Sequence, residues 1–331
     1  MEDGKPSFSF RGLLKKSGFR SHDSFMTWGL FLTQVLNGVQ LGILLFLLAA
    51  GLTLVFGIMN FVNLAHGSLY MMGAYFAAAA FSITGSFFAA GLIAIPATML
   101  LGLAIERVAL MRLYSRDHLD QVLATYGLIL VFNEVVRYFW GPSSIYMNAP
   151  EALSGQVALF GLSYSSYRFA IIGVGLAVAV GLYLVINKTR LGMLIRAGAS
   201  NADMVSALGV DIRFLNSMVF AMGAGLAGLA GLMAGPILSV QPGMGEPVLI
   251  LTLVVIVTGG IGSIRGAFYG AMIVGLVDTV GRVFLPIVLQ MLVERSLAQA
   301  AGPAIASMLI YLLMAVVLAL RPQGLFPVRN G

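Results

Sequence analysis

Between residues 51 and 73 the chain reads GLTLVFGIMNFVNLAHGSLYMMG, an apolar run that carries Asn60, Asn63 and His66 and is interrupted by Gly51, Gly57 and Gly67. Amide and imidazole groups can hydrogen-bond either a polar solute or a neighbouring helix. In a bilayer, unpaired polar groups are costly, and irregular backbone is tolerated only inside protein or against a water-filled cavity. The stretch is therefore expected to be a broken helix buried in a bundle, a device by which transporters present polar groups to cargo. Two readings stand side by side, a polar glue between helices and the lining of a route, because interhelical polar bonds are common.

Other residues with chemical potential are few. Asp278 and Arg282 stand four apart on an apolar stretch, so they share a helix face and can form an intramembrane ion pair. A lone charge there would be expensive, which favours a structural pair. Glu134 and Arg137 form a similar couple three apart, and Glu106-Arg107 reads as an anchor at the membrane interface. The glycine-rich GGIGSIRG, with Gly259, Gly260, Gly262 and Ser263, lacks the spacing of a phosphate loop or a dinucleotide fingerprint. Its glycines mark a sharply bent or closely approached backbone, for packing or for contact with cargo. The chain has no HExxH, no GxSxG and no P-loop, and its three histidines, His22, His66 and His118, are far apart. No catalytic or metal-binding set is visible, and a pump built on this chain would draw its energy from a gradient or a partner.

The elements that must position these residues follow from composition. Of 331 residues, 59% are hydrophobic and only 10% charged, with a mean hydropathy of +0.96. A soluble domain carries about 25% charged residues, so the expected fold class is all-α, a polytopic helical membrane protein. Forty glycines fit close helix packing, and the absence of cysteine excludes disulfides and thiolate metal sites. The net charge of +6 reads as topology and not as nucleic-acid binding. Residues 1–24 form a basic polar tail, expected to rest on anionic membrane lipid at the cytoplasmic face, and no secretory signal is evident. Residues 25–331 form the membrane domain.

Apolar spans are expected at 26–50, 68–83, 87–105, 121–140, 169–187, 214–234, 267–285 and 303–320, with two shorter pieces at 52–65 and 248–258. The first tail, the loop of Arg107, the loop at 188–213 and the final tail hold five, three, four and two of the 19 basic residues. Placing all four inside requires both short pieces to cross, which gives eight to ten membrane segments, two of them short and broken, and puts both termini in the cytoplasm. The two short pieces also resemble each other: LTLV at 52–55 recurs at 251–254, and with the same offset Gly67 matches Gly266 and Tyr70 matches Tyr269. The ten-crossing count orients both copies alike. Within 188–213, Asn201 is placed to cap a short helix over 202–208, with Gly209 as its stop. A helix lying outside the inner face is a docking surface or an ordinary interfacial loop.

The block GLTLVFGIMNFVNLAHGSLYMMGAY, the IERV at 105–108, RLGMLIRAGASNADMVSALGV and GGIGSIRGAFYGA resemble, in the same order, the permease subunits of branched-chain amino-acid ABC importers. The likeness runs from about residue 37 to residue 324. It implies a subunit of the bacterial inner membrane without its own catalytic site, working with a second permease, two cytoplasmic ATP-binding subunits that hold ATP and magnesium, and a periplasmic substrate-binding protein. It makes 188–213 the cytoplasmic coupling loop, with Arg190, Asn201, Ala207 and Gly209 as candidates for ATPase contact. Asn60, Asn63, His66, Gly259, Gly260, Gly262 and Ser263 become candidates for the substrate pathway. Asp278 falls where the family often has an acid, whereas Arg265 departs from it. Importers of urea or short amides look much the same in these blocks. A gradient-driven carrier would need a titratable group such as Asp278 or Glu134, and would leave the helix-bearing loop unexplained.

Overall fold

The computed structural model describes residues 21–159 and 162–327, so most of the basic tail lies outside the described residues. Helix α1 spans Ser21–Met59, followed by α2 (His66–Thr84), α3 (Phe87–Val108) and α4 (His118–Trp140). A small antiparallel hairpin, β1 (Gln156–Leu159) and β2 (Leu162–Ser165), pairs Gln156 with Ser165 and Leu159 with Leu162. Helix α5 (Ser166–Lys188) leads to the short α6 (Arg190–Ser200) and α7 (Ala202–Ala207). Then come α8 (Ile212–Ala234), α9 (Gly245–Gly259), α10 (Ile264–Leu289) and α11 (Arg295–Leu320). Seven of these helices, all but α2, α6, α7 and α9, are long and apolar enough to cross a membrane. The all-helical membrane fold is as the sequence implies.

Burial separates centre from periphery. The spans in α1 and α8 are 78% buried, against 17% in α10 and α11. Helix α2 is buried along most of its length. These central elements meet through small residues, which let helix backbones approach. A methyl group built on Gly51 of α1 would sit 2.7 Å from the Gly223 carbonyl of α8, and one on Gly42 would sit 2.8 Å from the Ala271 carbonyl of α10. Gly73 of α2 lies against Gly228 of α8, and Gly245 of α9 against Gly67 of α2. Polar side chains add ties between helices. The Arg168 guanidinium of α5 donates to Asn37 and Gln40 of α1, and the Tyr167 hydroxyl donates to the Met233 carbonyl of α8. Arg282 Nε lies 2.7 Å from Asp278 Oδ1, with the carboxylate buried and the guanidinium half-exposed. Glu134 and Arg137 pair at the surface.

The path of the chain corrects two expectations. Residues 52–59 are not a separate crossing: they continue α1, because Gly51 and Gly57 serve as contact surfaces for other helices and not as breaks. The helix stops at Met59, and residues 60–65 are not helical. Helices α1 and α10 then run antiparallel: Phe31 meets Phe284, Phe46 meets Phe268, and Gly57 faces Gly262. The end of α1 therefore lies beside α6 and the C-terminal segment, while its beginning lies at the hairpin end of the bundle. Three passes, not four, separate that beginning from Glu106, so the two described chain ends stand at opposite ends of the bundle. The second correction is smaller: the expected loop over 286–302 is mostly helix, since α10 runs to Leu289 and α11 begins at Arg295. The short piece at 248–258 is the core of α9, and it runs in the same sense as residues 52–55, as the ten-crossing count required.

The chain has no cysteine, so single labels test this path. Trp28→Cys and Tyr146→Cys should react with an impermeant maleimide from one side of the membrane, and Leu208→Cys and Gln323→Cys from the other; Trp28→Cys labelled together with Leu208→Cys would refute the three-pass count. Reversal of Asp278 or Arg282 alone should cost about 2 kcal/mol, and the double exchange should recover most of it in thermal unfolding, since breaking a partly buried pair leaves a charge unsatisfied.

Candidate functional site

Helix α1 ends because Asn60 takes a left-handed conformation, φ 48°, the only such residue other than glycine among those described. Its amide still donates to the Phe56 carbonyl at 2.9 Å, and asparagine is the residue that tolerates this geometry best after glycine. The chain then doubles back. Gly51, which His66 touches, lies eight residues or about 12 Å up α1 from Met59. Residues 60–65 are held by the loop that follows α3. The Phe61 ring meets the Tyr114 ring edge-on at 5.4 Å, and the Val62 amide donates to Gln121 Oε1. Gln121 in turn donates to the Leu113 and Arg116 carbonyls, which ties that loop to the start of α4.

His66 opens α2 inside a slot lined by glycine. A methyl group on Gly51 would lie 2.9 Å from His66 Nε2, and one on Gly67 would lie 2.6 Å from the Gly245 carbonyl. His66 is fully buried and Asn63 is 1% exposed. The Leu48 carbonyl faces the His66 ring without completing a hydrogen bond. Neither ring nitrogen of His66 and neither amide atom of Asn63 has a hydrogen-bond partner among the described residues. Leaving such a group unpaired costs about 1–3 kcal/mol. Asn63 thus makes none of the bonds to neighbouring helices that the glue reading requires, and His66 has only the Leu48 carbonyl of α1 beside its ring.

Below the slot lies a cavity of about 640 Å³. The end of α1 lines it with Thr53, Gly57 and Asn60, α6 with Ile195, Arg196 and Ser200, and the glycine-rich turn with Ile261 and Gly262. Of the candidate residues in that turn, Gly262 faces the cavity, with φ 81°. Ser263 caps α10 by accepting from the Gly266 amide at 3.0 Å. Gly259 and Gly260 are covered by the C-terminal segment: Phe326 donates its amide to the Gly259 carbonyl, and Gly324 packs on Gly260. The turn therefore divides into a packed side and a side open to the cavity.

The helical loop stands at the same end. Thr189 caps α6 through the Gly192 amide, and Asn201 Oδ1 caps α7 by accepting from the Met204 amide at 2.9 Å. Gly209 follows α7 with φ 90°, and its amide donates to the Ser206 carbonyl. Arg190, Asn201, Ala207 and Gly209 are all exposed, as are Met204 and Leu208. One face of the loop is anchored by Ile195 and Val205, and the Arg196 guanidinium donates to the Ile186 carbonyl at the end of α5.

Glu106 is the residue sequence reasoning misplaced. It is fully buried and not an interfacial anchor. The Tyr114 and Ser217 hydroxyls each donate to its carboxylate at 2.8 Å, joining α3, α8 and the loop that holds residues 60–65. Burial, and then the hydrogen bond to the Glu106 carboxylate, push the Tyr114 hydroxyl above its ordinary pKa. Adjacent Arg107 is exposed and makes no ion pair with Glu106. Only the register, with Glu106 one position nearer the α8 side, separates the two, and a charged dipeptide at a span end does not reveal it.

Comparison with known proteins bears on this arrangement. The family described as the branched-chain amino acid transport system permease component matches residues 34–318. The high-affinity branched-chain amino acid transport system permease protein BraD of Pseudomonas aeruginosa is 29% identical over 89% of this chain and 95% of its own. Its counterpart LivH of Escherichia coli K12 is 30% identical over 77% of this chain and 87% of its own. Among solved structures, a metal-chelate type ABC transporter in an inward-facing conformation covers 89% of this chain and 91% of that one, at 17% identity and a TM-score of 0.44. The match spans α1 through most of α11 and includes both the broken end of α1 and the helical loop, and the chain belongs to the permease component family of branched-chain amino acid transport systems.

Proposed function

We propose that this chain is one permease subunit of an ATP-driven importer of branched-chain amino acids in the bacterial inner membrane. The observation that carries the reading is that the broken end of α1 and the exposed loop helix α6 line the same cavity. A displacement of α6–α7 from outside the bundle thereby reaches the polar break at Asn60, Asn63 and His66 without a long relay. Of the described basic residues, only Arg137, Arg168, Arg282 and Arg295 stand at the hairpin end, and the other nine stand at the α6–α7 end. Among the described residues that excess favours the latter as the cytoplasmic face.

In this reading two cytoplasmic ATP-binding subunits dock on residues 188–213, with Arg190, Asn201, Ala207 and Gly209 at the contact, and they hold the ATP and magnesium. A second permease completes the channel, and a periplasmic binding protein delivers the amino acid at the hairpin end. The chain's own part is to expose and bury a polar step. Asn63 and His66 offer amide and imidazole groups to the passing zwitterion, and the glycines around them leave no side chain in the way. The apolar surface near the break, Leu54, Phe56 and Ile58, suits an aliphatic side chain. Glu106 and Tyr114 hold the break in register from the α3 side.

Two substitutions test the reading. Gly209→Val forces a branched residue into a left-handed turn where an added Cβ meets nothing within 4 Å, so the change alters the exposed turn and not the core. In the purified importer it should leave basal ATP hydrolysis within about twofold while lowering substrate-stimulated hydrolysis and uptake tenfold or more; normal stimulation would sink the coupling role. Asn63→Leu removes two unpaired buried atoms and should leave assembly and thermal stability unchanged or slightly raised. Uptake of leucine in proteoliposomes should fall tenfold or more, and loss of assembly instead would make Asn63 a structural residue.

A further inference from the structure

A second cavity, about 810 Å³, opens between α5, α10 and the C-terminal segment; it meets the first at Ile186, Arg196 and Gly262, and the transport reading gives its apolar wall no role. Its wall is apolar: Leu176, Ala179 and Val180 of α5 face Phe46 of α1 and Phe268 of α10. From Leu176 to Asn187 it runs eleven residues, about 17 Å, which is close to the depth of one leaflet of a bilayer with a ~30 Å hydrocarbon core. Its rim at the α6–α7 end is of a different kind. The exposed Arg265 guanidinium lies 5.8 Å over the Tyr183 ring, and Tyr269 and Phe326 stack beside it at 4.9 Å. Asn187, Ser263 and Arg196, whose guanidinium is engaged by the Ile186 carbonyl, complete that rim, and no carboxylate lines the cavity. Among the described residues the ion pairs are Glu134–Arg137 and Asp278–Arg282, so Arg265 is left without an anionic partner.

We infer that this groove is a binding site for an anionic phospholipid of the leaflet at the α6–α7 end, with one acyl chain along Leu176 and Val180 and the phosphate on Arg265. The charge at the rim and the apolar wall one leaflet deep together match such a lipid. A free phosphate would leave the apolar wall open. Because α6 is linked to α5 through Arg196 and the Ile186 carbonyl, a lipid here sits beside the helical loop as well as beside the glycine-rich turn.

Native mass spectrometry of the importer, purified with its partner subunits in a zwitterionic detergent, tests this by titration with phosphatidylglycerol and phosphatidylcholine of identical acyl chains. Phosphatidylglycerol should bind at least about fivefold more tightly, the increment of one basic residue at the membrane surface. Arg265→Leu should abolish that preference, Arg265→Lys should keep most of it, and Arg112→Leu, at the same end but away from the groove, should leave it intact. Val180→Trp should weaken both lipids by filling the wall. Equal retention of the two lipids, an unchanged preference in Arg265→Leu, or displacement of phosphatidylglycerol by equimolar glycerol phosphate would each overturn the proposal. Arg265→Lys and Arg112→Leu keep the outcome decisive if the leucine variant at Arg265 fails to assemble.

Discussion

The structure depends on backbone-to-backbone contact between central helices that carry no side chains where they touch. Lipid offers little hydrophobic drive for one apolar helix to prefer another, so close van der Waals packing must supply the association. Gly51 on Gly223, Gly67 on Gly245 and Gly73 on Gly228 bring α1, α2, α8 and α9 together along a continuous seam. The same contacts explain how a fully buried histidine can be placed at mid-bundle. The slot for His66 exists because α1 presents no Cβ there, and any side chain at position 51 would fill it.

The polar break is a consequence of that seam and not an interruption of it. With α2 starting beside Gly51, α1 must end further on, and the five residues after Asn60 must climb back outside helical geometry. Asn60 makes the turn possible through its left-handed backbone, and the Gln121 side chain supplies a partner to the Val62 amide that helix geometry no longer does. Glu106 then bears on the break from a second direction through Tyr114, whose ring rests on Phe61. Three separate stretches of chain thus fix residues 60–65, while the Asn63 amide within them has no hydrogen-bond partner among the described residues.

Much of this could be read from residue types. The short helix of the loop, with Asn201 as its cap and Gly209 as its stop, follows from local hydrogen-bond chemistry and needs no tertiary information. The membrane class and the spans followed from hydropathy. What the sequence hid was the meaning of its glycines: Gly51 and Gly57 look like helix breakers, yet within α1 they are points of contact, and the true stop is the asparagine beyond them. That misreading added one crossing and so placed the start of α1 at the wrong end of the bundle. Glu106 was hidden for a related reason, because whether a charged residue at a span end faces lipid headgroups or a buried serine on another helix depends on a rotation of about 100° per residue.

The internal resemblance between residues 52–55 and 251–254 sharpens which break matters. Both copies run toward the same end, and each is followed by a new helix that carries the matching glycine in its first turn, Gly67 in α2 and Gly266 in α10. They part company in between. After α9 the chain turns within four residues, and Gly259 and Gly260 are sealed beneath the C-terminal segment, so the first half of that turn serves packing. After α1 the chain takes six residues, climbs into the core and leaves Asn60 on an open cavity. Gly57 against Gly262 is where the two turns meet, and it joins the sealed turn to the open one. Gly262, the only glycine of its turn on that cavity, marks the boundary between the packed side and the open one.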